Sequence, residues 1–221
     1  MSHIQSHQSS TRVKICGITS VDDALIAVGA GADAIGLVFY PPSPRYVSIT
    51  VAAQIAQRVG PFVTVVGLFV NADKVEVNRV LSQVNLHVLQ FHGDESAAFC
   101  ESFQRPYMKA IRMKPELDVE QVINDYSSAV GVLLDAYKKG VPGGTGETFD
   151  WKRVPNSENL PAIILAGGLT PDNVASAVTA TRPYGVDVSG GVESSPGKKC
   201  QDKVIRFISN VKVISNVKPN V

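Results

Sequence analysis

Two hydrophobic patterns alternate along the chain. Short apolar runs rich in β-branched residues fall at 13–16, 34–39, 64–70, 88–91, 107–111, 130–135, 162–166 and 185–189, and read as eight strands. Segments with apolar residues at helical spacing lie at 20–30, 49–59, 72–84, 95–103, 116–126, 171–180 and 198–211. Val51-Ala52-Ala53-Gln54-Ile55-Ala56-Gln57 shows that spacing. Pro171, behind Thr170, suits the first helical position after an N-cap. Ser20, followed by Asp22 and Asp23, predicts another helix start. The segment after the sixth strand departs from the pattern: 138–155 is glycine-rich and predicts no helix.

Strand starts advance by about 25 residues on average, the length of one strand–helix unit. Eight such units predict an α/β fold, a single closed (β/α)8 barrel of the TIM type. The alternative is an open doubly wound sheet. The first turn lacks G-x-G-x-x-G and the glycine-rich turns come late, which favours the barrel. Residues 13–211 are expected to form it, with 1–12 a frayed N-terminal tail and 212–221 a C-terminal tail.

Composition narrows the function classes. A net charge of +1 leaves no electrostatic footprint for nucleic acid or an anionic membrane. No apolar run approaches the roughly 18–20 residues that span a bilayer. The polar N-terminus has no apolar stretch of the kind a secretory signal needs. Three well-separated cysteines without CxxC spacing suggest neither a disulfide framework nor a zinc site, and no metal is expected. A reducing cytoplasm is the expected location.

In such a barrel ligands bind at the carboxyl ends of the strands, and that rim collects reactive groups. Cys16 ends the first strand, before Gly17. A lone strand cysteine is ordinarily a small buried hydrophobe, but this position turns it toward the mouth. Lys14 shares its face, and a nearby cation favours a thiolate. Asp135 ends the sixth strand, either capping the next turn or facing the mouth. The sixth strand is three positions from the first through the eighth and seventh, so a group on each would reach a small substrate from different sides. Gly167-Gly168 follows the seventh strand and Ser189-Gly190-Gly191 the eighth, where this fold holds phosphate on bare backbone N–H groups. Gly143-Gly144-Thr145-Gly146 is placed to add to that cradle. Each pair also reads as a plain tight turn. Arg45, in the stiff loop Pro41-Pro42-Ser43-Pro44-Arg45-Tyr46, is either a surface arginine or a fixed guanidinium for a carboxylate. His92 is a ligand contact or a turn residue, and both stay open. Lys14 and Asp187 each precede a rim residue by two. They are expected to point inward at one depth and to interact directly or through the substrate.

These pieces, in this order, resemble the phosphoribosylanthranilate isomerase family of tryptophan biosynthesis. The likeness rests on Lys14-Ile15-Cys16-Gly17-Ile18-Thr19, Gly36-Leu37-Val38-Phe39 through Pro44-Arg45-Tyr46-Val47, Val66-Gly67-Leu68-Phe69-Val70-Asn71, Leu89-Gln90-Phe91-His92-Gly93-Asp94-Glu95, Leu134-Asp135, Gly143-Gly144-Thr145-Gly146, Leu165-Ala166-Gly167-Gly168-Leu169 and Val186-Asp187-Val188-Ser189-Gly190-Gly191-Val192-Glu193. The family pattern often has Ser-Ser-Gly where this chain has Ser189-Gly190-Gly191, which removes a hydroxyl and keeps the backbone donors.

The resemblance implies an Amadori rearrangement of N-(5-phosphoribosyl)anthranilate to 1-(2-carboxyphenylamino)-1-deoxyribulose 5-phosphate, with no cofactor. It implies Cys16 as general base and Asp135 as general acid. Lys14, Arg45, His92 and Asp187 become substrate-binding residues, and Gly144, Gly167, Gly168, Ser189, Gly190 and Gly191 the phosphate site. The expected partner is a small phosphosugar, with no nucleic acid or membrane, and the chain is a monomer or homodimer. Two rivals are a barrel aldolase with a Schiff base on Lys14 or Lys109, and a non-catalytic phosphosugar-binding barrel.

Overall fold

The computed structural model describes residues 10–136, 148–155 and 160–215. In chain order the elements are β1 (Arg12–Cys16), α1 (Val21–Gly29), β2 (Ala34–Val38), α2 (Ile49–Arg58), β3 (Thr64–Phe69), α3 (Lys74–Leu81), β4 (Val88–Phe91), α4 (Ala97–Glu101) and β5 (Tyr107–Arg112). They continue with α5 (Val119–Asp125), β6 (Gly131–Asp135), β7 (Ala162–Leu165), α6 (Val174–Thr181), β8 (Gly185–Val188), β9 (Glu193–Ser195), β10 (Lys198–Lys199) and α7 (Gln201–Ser215). Strands β1 to β8 pair in parallel in sequence order, and β8 closes onto β1, so the expected barrel is observed.

The strands read as unbroken apolar runs because both faces are buried. Val66, Met108, Ala110, Leu133, Ile164 and Ala166 fill the barrel interior. Their alternate neighbours, such as Ile15, Leu37, Phe69 and Leu165, pack outward with Val204, Phe207 and Ile208 of α7 in the larger core. Side chains that follow the inward parity past the interior reach the mouth. Cys16, Val38 and Leu68 cluster there.

Several boundaries differ from expectation. Arg12 already pairs with Gly185, and α7 runs to Ser215, so the barrel exceeds 13–211 at both ends. Helix α6 starts at Val174 behind Asn173, and Pro171 stays in the loop. The expected helix over 198–211 is preceded by a hairpin, β9 with β10, turning at Pro196-Gly197 where Gly197 has φ +82°. Between β6 and β7 the described residues hold a single 3-10 turn, Trp151–Arg153. No helix among the described residues is long and apolar enough to cross a membrane.

Candidate active site

A cavity of about 520 Å³ opens at the carboxyl ends of the strands. Cys16, Arg45, Gln90, His92, Asp135, Asp187, Ser189 and the glycine pairs after β7 and β8 all line it. Gly144 lies outside the described residues.

Cys16 pairs in register with Gly36 of β2. A Cβ at Gly36 would stand 2.7 Å from Cys16 Sγ, so the missing side chain makes room for the sulfur. Burial pushes the Cys16 thiol up from its ordinary value; Asp187 adds to this, while Lys14 and Lys199 offset part of it. Lys14 favours the thiolate, as expected, but burial outweighs it.

Lys14 and Asp187 are register partners across β1 and β8, and Lys14 Nζ donates to Asp187 Oδ1 at 2.8 Å. Burial alone would lower the Lys14 ammonium, but Asp187 and Cys16 together raise it above its ordinary value. Asp187 faces the cavity, whereas Lys14 is not among the lining residues. The Lys14 ammonium lies behind that lining, on Asp187.

Asp135 ends β6 with its side chain inside the mouth, and His92 Nε2 stands 3.1 Å from its Oδ2. Gln90, two residues earlier on the same face of β4, places Nε2 3.1 Å from His92 Nδ1. With Gln90 Nε2 donating to Nδ1, the imidazole proton sits on Nε2, aimed at Asp135. Gln90 lines the cavity as well and has no assigned role in the sequence reading. Its shared parity with His92 was the signal that it faces the site. Gln90 Oε1 is buried without a partner among the described residues.

Arg45 is neither a free surface group nor fixed by prolines alone. Its Nε and Nη2 donate to the two oxygens of Glu193, each at 2.8 Å. Lys199 Nζ donates to Glu193 Oε1 at 2.9 Å. Burial alone would raise the Glu193 carboxyl, but the bonds from Arg45 and Lys199 hold it below the ordinary carboxylate range. Burial lowers the Lys199 ammonium, Glu193 offsets only part of this, and Arg45 lowers it further. Glu193 and Lys199 shift in the same direction because burial outweighs the carboxylate for the lysine, whereas the two cations together outweigh burial for the carboxyl.

Ser189 follows β8 directly, with Oγ buried and unpartnered among the described residues. Gly167 and Gly168 turn the facing loop at φ +80° and +63°, and Asn173 Nδ2 ties that loop through the Gly168 carbonyl at 2.9 Å. Gly191 packs against backbone: a Cβ there would stand 1.9 Å from the Leu169 carbonyl oxygen. Its lack of a side chain thus joins the two loops, before any phosphate is considered.

The aldolase reading fails on geometry. Lys109 lies on the outward parity of β5 and donates to Glu95 Oε2 at 2.9 Å and to the Gly93 carbonyl at 2.7 Å. Lys14 is held as an ammonium by Asp187, whereas a Schiff-base lysine must be free as the amine. Among the described residues no group of three or more His, Cys, Asp and Glu is placed to hold a metal ion.

Comparison with known proteins identifies the family. The family model described as N-(5'phosphoribosyl)anthranilate (PRA) isomerase matches residues 13–210. The N-(5'-phosphoribosyl)anthranilate isomerase of Cellvibrio japonicus is 64% identical over 200 residues, covering 90% of this chain and 93% of that one. The crystal structure of phosphoribosyl anthranilate isomerase from Thermotoga maritima superposes with a TM-score of 0.85 at 43% identity, covering 92% of this chain and 99% of that one. A further structure of such an isomerase, in complex with reduced 1-(o-carboxyphenylamino)-1-deoxyribulose 5-phosphate, superposes with a TM-score of 0.81 at 41% identity, covering 92% and 99% of the two chains. The chain belongs to the N-(5'-phosphoribosyl)anthranilate isomerase family.

Proposed function

We propose that, in the isomerisation of N-(5'-phosphoribosyl)anthranilate that this chain carries out in tryptophan biosynthesis, Cys16 is the general base and Asp135 the general acid. The observation that carries this reading is their placement on β1 and β6 around one cavity, with the glycine loops of β7 and β8 between them.

The steps follow from that placement. Asp135 gives its proton to the ring oxygen, the furanose C–O bond breaks, and the nitrogen lone pair forms a Schiff base at C1′. Cys16 takes the proton from C2′, and the C–H electron pair neutralises the iminium to give an enolamine. Tautomerisation, with a proton gained at C1′ and one lost from the C2′ hydroxyl, yields the ketone. His92 keeps the Asp135 carboxyl turned into the cavity. Ser189 Oγ and the loop backbones around Gly168 and Gly190 suit the phosphate, and Arg45 suits the anthranilate carboxylate. Each acid–base group is expected to contribute roughly 10²–10⁴-fold.

The test is a fluorescence assay for loss of substrate, run on Cys16→Ser and Asp135→Asn. Either variant should lose at least about a hundredfold in kcat. Both should still bind reduced 1-(o-carboxyphenylamino)-1-deoxyribulose 5-phosphate, because the groups assigned to phosphate and carboxylate are intact. Deuterium at C2′ should slow Cys16→Ser more than Asp135→Asn. The reversed isotope pattern would exchange the two roles, and near-wild-type kcat in both variants would remove them.

A further inference from the structure

Behind Arg45 lies a buried polar network that the acid–base steps do not use. Arg45 and Glu193 are 148 residues apart in sequence, and the β9–β10 hairpin brings them together. Glu193 opens β9 and takes the guanidinium on both oxygens. Lys199, on the facing strand, donates to the same carboxylate and also, at 3.3 Å, to the Ser189 carbonyl of the loop after β8. The Lys199 side chain is wholly buried and Glu193 nearly so. Asp23 Oδ2, at the start of α1, fixes the hairpin by accepting the Lys199 backbone N–H at 3.1 Å.

An ion pair between Arg45 and Glu193 alone has no net charge. A substrate carboxylate approaching it would meet a cation already cancelled by a neighbouring anion. The second cation changes this: two cations around one carboxylate leave one positive charge. Arg45 lines the cavity and its Nη1 makes no hydrogen bond among the described residues, so that edge of the guanidinium remains for a ligand. A buried lysine that also ties the loop after β8 links the Arg45 end of the cavity to the glycine-loop end.

We propose that Glu193 and Lys199 are positioning residues for substrate binding: Glu193 sets the orientation of Arg45, and Lys199 cancels the Glu193 charge so that the trio offers one net positive charge to the substrate carboxylate. This rests on the reading of Arg45 as the carboxylate contact.

The experiment compares two ligands by calorimetry: reduced 1-(o-carboxyphenylamino)-1-deoxyribulose 5-phosphate and the same compound without its carboxyl group. Tighter binding of the first by wild-type enzyme, lost in Arg45→Ala, checks the underlying reading by itself. Given that, Lys199→Met should weaken the carboxylated ligand about tenfold or more and the other no more than about twofold, with KM rising and kcat nearly constant. Glu193→Gln combined with Lys199→Met restores one positive charge and should recover part of the loss, because the amide oxygen still accepts one of the two Arg45 bonds. Lys199→Arg should retain affinity. If Lys199→Met does not fold, the double variant, which leaves no unpaired carboxylate, decides the matter by binding the carboxylated ligand at least about threefold more tightly than Arg45→Ala does. Equal loss for both ligands in Lys199→Met, or a double variant as weak as Arg45→Ala, overturns the proposal.

Discussion

Lys14 Nζ and Asp187 Oδ1 meet at 2.8 Å across the seam where β8 closes onto β1, with both side chains less than a tenth exposed. Neither charge has water to return to, so removing one strands the other. Asp187→Ala should cost about 3–5 kcal/mol, and Lys14→Met with Asp187→Leu together should cost less than that. The pair also has a pH signature. Lys14 titrates above its ordinary 10.5 in the folded chain, so its contribution is full below 10.5 and lost as pH climbs through the raised folded value. Urea midpoints of wild type and the double variant, followed from about pH 7 to about pH 11.5, should converge only at the alkaline end. A constant difference across that range would mean that the pair contributes nothing through its charge.

The Cys16 thiol has a pKa above its ordinary 9.0 because it is buried. Its alkylation by iodoacetamide should therefore be slow near neutrality and rise steadily with pH, with no plateau below about pH 9. Lys14→Met removes an offsetting cation and should slow the reaction further. Cys200→Ser removes the half-buried competitor. Cys100, pushed up to about 12 chiefly by burial, should stay silent. Rapid alkylation at neutral pH, read by mass spectrometry, would contradict this ordering of burial over charge.

His92 reaches Asp135 at 3.1 Å and is itself held by Gln90. A hydrogen bond to a charged group contributes about 1.5–3 kcal/mol, so His92→Leu should lower kcat roughly 10- to 100-fold while KM moves little. His92→Gln keeps a donor and should retain more activity. A KM effect with unchanged kcat would make His92 a binding group and not a positioning one.

Arg45→Ala should weaken productive binding by about 2–4 kcal/mol, and Arg45→Lys should recover only part because an ammonium cannot span both Glu193 oxygens. Folding should survive either change, since Lys199 still neutralises Glu193. The check is KM beside a thermal melt, and an unchanged KM in Arg45→Ala would separate Arg45 from the substrate.

The barrel was legible because its strands are short apolar runs buried on both faces and bounded by turns. The run expected at 88–91 coincides with β4, and Cys16 and Asp135 stood out because they end such runs. Helix starts were harder. The helix expected from 95 begins at Ala97 because Glu95 turns inward to accept the backbone N–H groups of Asn71 and Gly93 and the Lys109 ammonium. Nothing near residue 95 announces those partners. The Arg45–Glu193–Lys199 network depends on contacts across the whole chain. Its one local sign, Pro196-Gly197 between two short polar stretches, was absorbed into the run-up to a helix.

Two glycines at the mouth should fail in different ways when given a methyl group. At Gly36 the new Cβ would stand 2.7 Å from Cys16 Sγ and 3.1 Å from both Cys16 Cα and Lys14 Nζ. The sulfur, at the free end of a short side chain, gives way most easily, so the thiol leaves its position while the strands stay paired. A misplacement of about 1 Å at a reacting group can cost about a hundredfold, so Gly36→Ala should lose kcat far out of proportion to its stability. At Gly191 the new Cβ would stand 1.9 Å from the Leu169 carbonyl oxygen, which is backbone and cannot rotate aside. The loops after β7 and β8 must then separate, so Gly191→Ala should raise KM for the phosphosugar and lower the melting temperature together. Thermal melts and steady-state kinetics on the two variants decide the matter. If Gly36→Ala keeps wild-type kcat, the thiol does not need the place that Gly36 leaves for it, and the assignment of Cys16 as base loses its geometric support.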